Sequence, residues 1–381
     1  MLRVGFACAW DPQPEATWSH TPWQLREGMR SECDIVDIDL TYPEPARLAL
    51  KAAYARRRDG KLVSLWKHTR PARLLNSSRL TRADEANRQS RPLDAILQIG
   101  DLGPTRTPYF FLQDLSYDLL LDLEQADKGV QMQFSSLSLA TIRRLRDRQR
   151  RLYETSHGVI ALSQWLASHL VTTSGVPAEK VHVVHPGATA AKTPVDLSAV
   201  TARRLAGRRS RLLFVGRNFE RKGGVQVLQA LKILRDGERA DVTLTIAGPK
   251  AWPLSGEPPA GVTFLGPVSN EEVARLVDEH DLFVLPSQFE AFGIVFVEAL
   301  SRGLPCVGRD AFAMPEIIQP GRNGALVTSD SADELADLIT SALDDDELIR
   351  RTSAAADESR AYYSWSRAGR QVVEIMGAAT S

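Results

Sequence analysis

One stretch constrains this chain more than any other, Asp281 to Gly303, which reads DLFVLPSQFEAFGIVFVEALSRG. Leu282 to Pro286 are apolar without a break, led in by Asp281 and followed by Ser287. That pattern predicts a short strand buried on both faces. Glu290 falls in the loop after it. From about Phe292 the apolar positions Ile294, Val297 and Leu300 recur at helical spacing, and Gly303 ends the helix. A buried strand, a loop and a helix start, in that order, belong to a parallel α/β layer. They also set unpaired first-turn N–H groups and the positive end of a helix dipole at the loop. Phe292, Gly293, Ile294 and Val295 would form this anion cradle, and Gly293 lets a ligand approach the backbone. Glu290 stands just before the cradle; Glu298 lies about two turns inside the expected helix.

Two carboxylates beside an anion cradle repel a bare phosphate. They suit a ligand that carries hydroxyls as well, because an ionised carboxylate accepts and a hydroxyl donates. Phosphate plus hydroxylated rings describes a nucleotide sugar. The pair EAFGIVFVE, embedded in PS-x2-EAFG…EAL-x2-G-x-P, resembles the signature of the retaining family 4 glycosyltransferases (glycosyl transferases group 1), which have the GT-B fold. The resemblance implies that Glu290 faces the donor sugar and Glu298 holds the nucleotide ribose. Taken alone, the same spacing fits two solvated glutamates on an amphipathic helix.

The totals leave room for that reading. At 381 residues the chain is long enough for two domains, and 43% hydrophobic with 25% charged residues is ordinary globular composition. Lys plus Arg and Asp plus Glu are 47 each, so no overall field draws nucleic acid. Cys8, Cys33 and Cys306 stand far apart, with neither a disulfide framework nor metal-ligand spacing, which points to the reducing cytoplasm. No apolar run approaches the ~20 residues of a membrane-spanning helix.

The N-terminal half begins with a strand over residues 2–9 and a loop, WDPQPEATWSHTPWQ. It lacks the G-x-G-x-x-G of dinucleotide folds. TWSHTP resembles a W-S-G-T-P loop of some family 4 enzymes, with His20 where glycine is usual. The resemblance sets Ser19, His20 and Thr21 on the acceptor side; a packing role for His20 is the competing account. Residues 33–40 alternate as a half-exposed strand does, and the D-x-D of Asp37 and Asp39 there reads as chance. Residues 51–82 carry ten Lys or Arg against one acid, Asp59, and residues 143–151 add RRLRDRQRR. Three readings compete for these runs: solvated helix faces, a peripheral contact with the inner membrane face, and recognition of an acidic acceptor. Residues 93–100 and 107–114 are two further buried strands. Asp114 ends the second, either as a helix N-cap or, as the resemblance implies, as a catalytic-side contact near the acceptor and reacting sugar. A basic helix over 137–155, a strand and helix from 158, and a strand near 181–187 complete the half. Residues 187–210 look like a variable hinge.

The second half opens with RLLFVGRNFERKGG, residues 211–224. A buried strand ends in a Gly216 turn, and Arg217 and Lys222 follow before a helix. A rigid guanidinium fork and a point-charge ammonium beside one loop suit a diphosphate. G-R-x4-K-G resembles the family motif whose cations bind the donor diphosphate and stabilise the leaving group. The resemblance also implies that the backbone near Val268 meets the nucleobase. Acids at 344–347 are a favourable helix start rather than a metal site.

The expectation is therefore α/β: GT-B, two Rossmann-like doubly wound domains facing a central cleft, residues 1–187 for the acceptor and 188–360 for the nucleotide sugar, with residues 361–381 crossing back as a helix. The resemblance implies retaining hexosyl transfer from a nucleotide-sugar donor, UDP-sugar first and GDP-mannose next, to an unidentified acceptor, with no cofactor and no catalytic metal. A nucleotide-sugar epimerase or phosphorylase on the same scaffold, or a non-catalytic nucleotide-sugar binder, are the alternatives.

Overall fold

The computed structural model describes residues 1–58, 61–125, 137–188 and 194–380. Asp59 and part of the expected hinge lie outside the described residues. The chain divides into two compact units, residues 1–187 with 364–381 and residues 188–363.

Unit 1 runs β1 (Arg3–Cys8), α1 (Thr21–Met29), β2 (Asp34–Asp39), α2 (Glu44–Ala53), β3 (Ala55–Arg58), β4 (Lys61–Ser64), α3 (Arg70–Ser90), β5 (Ala95–Ile99), β6 (Tyr109–Gln113), α4 (Tyr117–Gln125), α5 (Leu139–Thr155), β7 (Gly158–Ala161), α6 (Gln164–Thr172) and β8 (Val181–Val183). Its parallel sheet has the order β2-β1-β5-β6-β7-β8, with β3 and β4 as a separate antiparallel hairpin. The central strands AILQI and YFFLQ are buried throughout. Alternation sorts their side chains to two covered faces. Leu97, Phe110 and Leu112 pack with Leu25 and Met29 of α1, while Ile96, Tyr109 and Phe111 pack with Leu80, Leu152 and Leu166 of α3, α5 and α6. Each such side chain contributes about 1.5–3 kcal/mol on burial. Ser138 and Ser163 cap α5 and α6 by accepting the N–H of Thr141 and Leu166.

Unit 2 runs α7 (Leu197–Leu205), β9 (Arg211–Val215), α8 (Gly224–Asp236), β10 (Thr243–Ala247), β11 (Val262–Gly266), α9 (Asn270–Glu279), β12 (Leu282–Val284), α10 (Ile294–Leu300), β13 (Cys306–Arg309), α11 (Met314–Ile317), β14 (Gly324–Val327), α12 (Ala332–Asp344), α13 (Asp346–Ala354) and α14 (Ala356–Tyr362). The sheet order is β11-β10-β9-β12-β13-β14, all parallel. Asp345 caps α13 by accepting the Leu348 N–H, as expected for acids at a helix start.

The final helix, α15 (Trp365–Thr380), returns to unit 1 and packs on α1. Two glycines permit the contact, since a Cβ on Gly369 would lie 2.4 Å from the Gly28 carbonyl carbon.

Two polar groups whose partners the sequence does not reveal hold unit 2 together. Asp281 is 4% exposed and accepts from the N–H groups of Ser210 (3.1 Å) and Arg211 (3.0 Å) and from Arg203 (2.9 Å). Arg204 is 1% exposed and donates to the carbonyls of Val277 (2.8 Å), His280 (3.0 Å) and Gly303 (2.6 Å). Burial pulls its pKa down to about 10, against the nearby Asp281. The expected hinge is thus corrected over 197–205: it is a helix whose arginine is fixed in the core.

Candidate active site

In unit 2 the chain order reverses between β9 and β12, with β10 on the other side of β9. At such a point the loops leaving the carboxyl ends diverge and open a crevice. Here the two loops are tied together. The Gln288 N–H donates to Arg221 O at 2.9 Å, and the Arg221 guanidinium donates to Phe289 O at 3.2 Å. Gly223 has φ 80°, and a Cβ there would stand 2.4 Å from the Pro286 carbonyl oxygen. Only glycine fits both the turn and the approach.

This stitching brings Lys222 onto Glu290. The ammonium pairs with the carboxylate, and the two side chains are 15% and 9% exposed. Gly216 donates its N–H to Ala247 O at 2.9 Å and lies against the Lys222 stem. Arg217 leaves the same loop as an exposed cation with no ion pair among the described residues.

The helix α10 starts at Ile294, two residues later than the sequence pattern suggests, so Glu298 sits one turn inside and half-buried. Gly293 is its N-cap at φ 101°, and a Cβ there would come within 2.8 Å of Phe296. Backbone geometry and Phe296 therefore require glycine, a stronger reason than ligand approach. Phe292 is 5% exposed and packs on Tyr363 with ring centroids 6.1 Å apart. Its side chain belongs to the core, and only its backbone is left for a ligand. Ile294 and Val295 are half-buried. Val268 follows the edge strand β11 and packs on the core, with β10 between that strand and β9.

In unit 1 the order reverses between β1 and β5. A cavity of about 650 Å³ opens there, lined among others by Asp11, Ser19, Lys67, Arg73 and Asp114. Asp114 therefore lies in unit 1, while the other catalytic candidates lie in unit 2. The N-cap account of it is corrected: α4 starts at Tyr117, and the Ser116 hydroxyl accepts the Leu119 N–H at 3.1 Å. Burial pushes the Asp114 carboxyl up to about 6, offset by its own backbone N–H.

Trp18, Ser19 and His20 all hold positive φ, at 46°, 53° and 74°. Non-glycine residues pay about 1–2 kcal/mol each for this conformation. Trp18 and Ser19 line the cavity, Thr21 is buried at the start of α1, and His20 is the N-cap of that helix. His20 thus occupies a backbone site suited to glycine.

Charges at this cavity are largely paired. Lys67 meets Asp11 at 2.7 Å, and Arg148 binds the Asp101 carboxylate at 2.8 Å and Leu102 O at 2.9 Å. Burial raises the Asp101 pKa against the pull of Arg148. His68 bonds Tyr117 Oη at 3.2 Å; burial, then Arg73 and Lys67, lower its pKa to about 4, so the ring is neutral. Arg73 donates to His68 O at 3.0 Å and has no ion pair among the described residues. Burial and then Arg148 lower its pKa. Elsewhere in the basic runs, Arg150 pairs with Asp118 at 2.7 Å, so part of 143–151 serves structure. Asp37 of the D-x-D is held by Arg26.

Residues 202–359 match the family described as glycosyl transferases group 1. That segment is similar to a group 1 glycosyltransferase domain. The match lies in unit 2, around the Lys222–Glu290 loops. A D-inositol 3-phosphate glycosyltransferase from Nocardia farcinica is 31% identical over 229 residues, 56% of this chain and 51% of that one. The chain spans about half the length of the first curated relatives it matches. Among solved structures, sucrose-phosphate synthase from Thermosynechococcus elongatus superposes with TM-score 0.66 at 15% identity over 99% of both chains. Anabaena HepE, solved with UDP and glucose, gives 0.61 at 16% identity over 99% of this chain and 100% of that one. At these identities the likeness shows the fold, which is GT-B: two Rossmann-like α/β domains. No described helix is long and apolar enough to cross a membrane.

Proposed function

We propose that the protein is a retaining, metal-independent family 4 hexosyltransferase that uses a nucleotide-sugar donor, UDP-sugar first and GDP-mannose next. The observation that carries the reading is the Lys222–Glu290 pair on two stitched loops at the reversal of the unit 2 sheet. Donor diphosphate would take Lys222 from Glu290 and recruit Arg217, and the freed carboxylate would accept hydroxyls of the hexose. Glu298 would hold the ribose, and the backbone near Val268 the base. Cations placed at the departing diphosphate stabilise the negative charge that grows there as the glycosidic bond breaks, and fixed charges aimed at developing charge lower a barrier most effectively. A leaving-group oxygen would take the acceptor proton in a front-side transfer. Asp114 and the Ser19–Thr21 loop would face the acceptor in unit 1.

A thermal-shift panel of UDP, GDP, ADP and dTDP tests the donor half. Ligand at 100 times its dissociation constant stabilises by about 2.7 kcal/mol. No shift with any of the four ends the proposal. Nucleotide release that needs an acceptor separates transfer from epimerisation, the anomeric configuration of the product checks retention, and turnover in chelator checks metal independence.

A peripheral contact at the inner membrane face is part of the proposal. Helix α2 has no buried residue, and Leu48 and Leu62 are 52% and 74% exposed beside Arg47, Lys51 and Arg57. Sedimentation with anionic vesicles at low salt is the test; protein left in the supernatant removes this element.

A further inference from the structure

The unit 1 cavity has a cation and an amide whose bonding is incomplete. Both come from α3, three residues apart and hence on one face. Arg73 is half-buried, donates only to the His68 carbonyl, and has no carboxylate partner among the described residues. Asn76 lines the same cavity at 3% exposure, and its Oδ1 finds no donor. Most other charges that line the cavity are accounted for. Asp11 is held by Lys67 and Asp101 by Arg148, while His68 is neutral. Among the residues that line the cavity, that leaves the Arg73 guanidinium and the Asp114 carboxylate without an ion pair, and the Asn76 amide oxygen short of a donor. A planar guanidinium with free N–H groups matches an oxyanion. A carboxylate and an amide oxygen are acceptors, and they match hydroxyls.

We infer that this cavity binds a small hydroxylated molecule bearing a phosphate or similar compact anion, with Arg73 on the anion and Asn76 and Asp114 on the hydroxyls. The inference rests on the transferase reading in taking that molecule as the acceptor; its binding is testable without it. A free polyol phosphate and a phospholipid headgroup share this chemistry.

The experiment is calorimetric titration of the full chain with glycerol 3-phosphate, with glycerol as the neutral control, and sedimentation with phosphatidylglycerol vesicles, on wild type and Arg73→Gln. Glycerol 3-phosphate binding that weakens at least tenfold in Arg73→Gln supports a soluble acceptor. Vesicle binding that weakens likewise, without glycerol 3-phosphate binding, supports the headgroup. Binding equal in both proteins, or absent with both probes, overturns the inference. If Arg73→Gln does not fold, displacement of either probe from wild type by inorganic phosphate but not by glycerol supports it, and no displacement overturns it. The nucleotide thermal shift, run in parallel, reports on unit 2 alone, so failure of the donor reading is seen separately.

Discussion

The two units use one architectural device in opposite ways. Each sheet reverses its order beside its first strand, at β9/β12 in unit 2 and at β1/β5 in unit 1. In unit 2 the residues at the reversal lie close together in two short motifs, and the loops are fixed by backbone hydrogen bonds and a glycine. In unit 1 the cavity draws on β1, α3, β6 and the 66–68 segment, and its walls are held by ion pairs. The lesson is that loops fixed by backbone geometry are encoded in short motifs. A cavity walled by ion pairs is assembled from side chains scattered along the chain, each held by its neighbours.

If that contrast holds, the largest effect comes from unit 2. Lys222→Ala and Glu298→Ala should each lower turnover at least about tenfold, or about 1.4 kcal/mol of barrier. Steady-state rates with the donor identified by the nucleotide panel check this, and wild-type rates in both variants break it. Gly293→Ala should destabilise the protein by more than about 1 kcal/mol, because φ 101° is unfavourable to alanine and the new Cβ meets Phe296. Urea unfolding followed by tryptophan fluorescence measures it.

Unit 1 should answer to pH instead. The Asp114 pKa is raised from 3.8 to about 6, so the folded protein keeps a proton that the unfolded chain releases between those values. Its ionisation therefore costs stability, a cost fully present above about pH 6 and absent below about pH 4. Asp114→Asn should melt above wild type at pH 7.5, and the gap should close as pH falls through that window. A gap that stays constant would show that burial does not govern this carboxyl. The smallest effect is expected at His20→Gly, a gain of about 1 kcal/mol from relief of φ 74°. Thermal denaturation reads that gain; a loss would mean that the imidazole is needed for packing.

Much of unit 2 was legible because its signals are local. Leu282–Val284 is a buried run, Gly303 at φ 68° closes α10, and the G-R-x4-K-G spacing puts Lys222 beside a turn. What the pattern missed there is equally local in cause: Gly293 takes a left-handed conformation, which delays the helix to Ile294. In unit 1, Asp114 stood out as the end of a buried strand, and the structure puts it in the wall of the cavity. Arg73 and Asn76 were lost in a run of basic residues, and only their shared helix face could have marked them.

Sequence by itself determined the two alternating α/β halves, the C-terminal helix and the residues of the two stitched loops in unit 2, since periodicity, turn glycines and cation spacing act over a few residues. Tertiary structure alone decided which charges are consumed and which remain. Lys222 is tied to Glu290 across 68 residues, Arg148 to Asp101 across 47, and Arg204 sits in the core where a hinge was expected. Such pairings depend on which strands become neighbours, and that choice follows from burial of the whole sheet rather than from any segment of it.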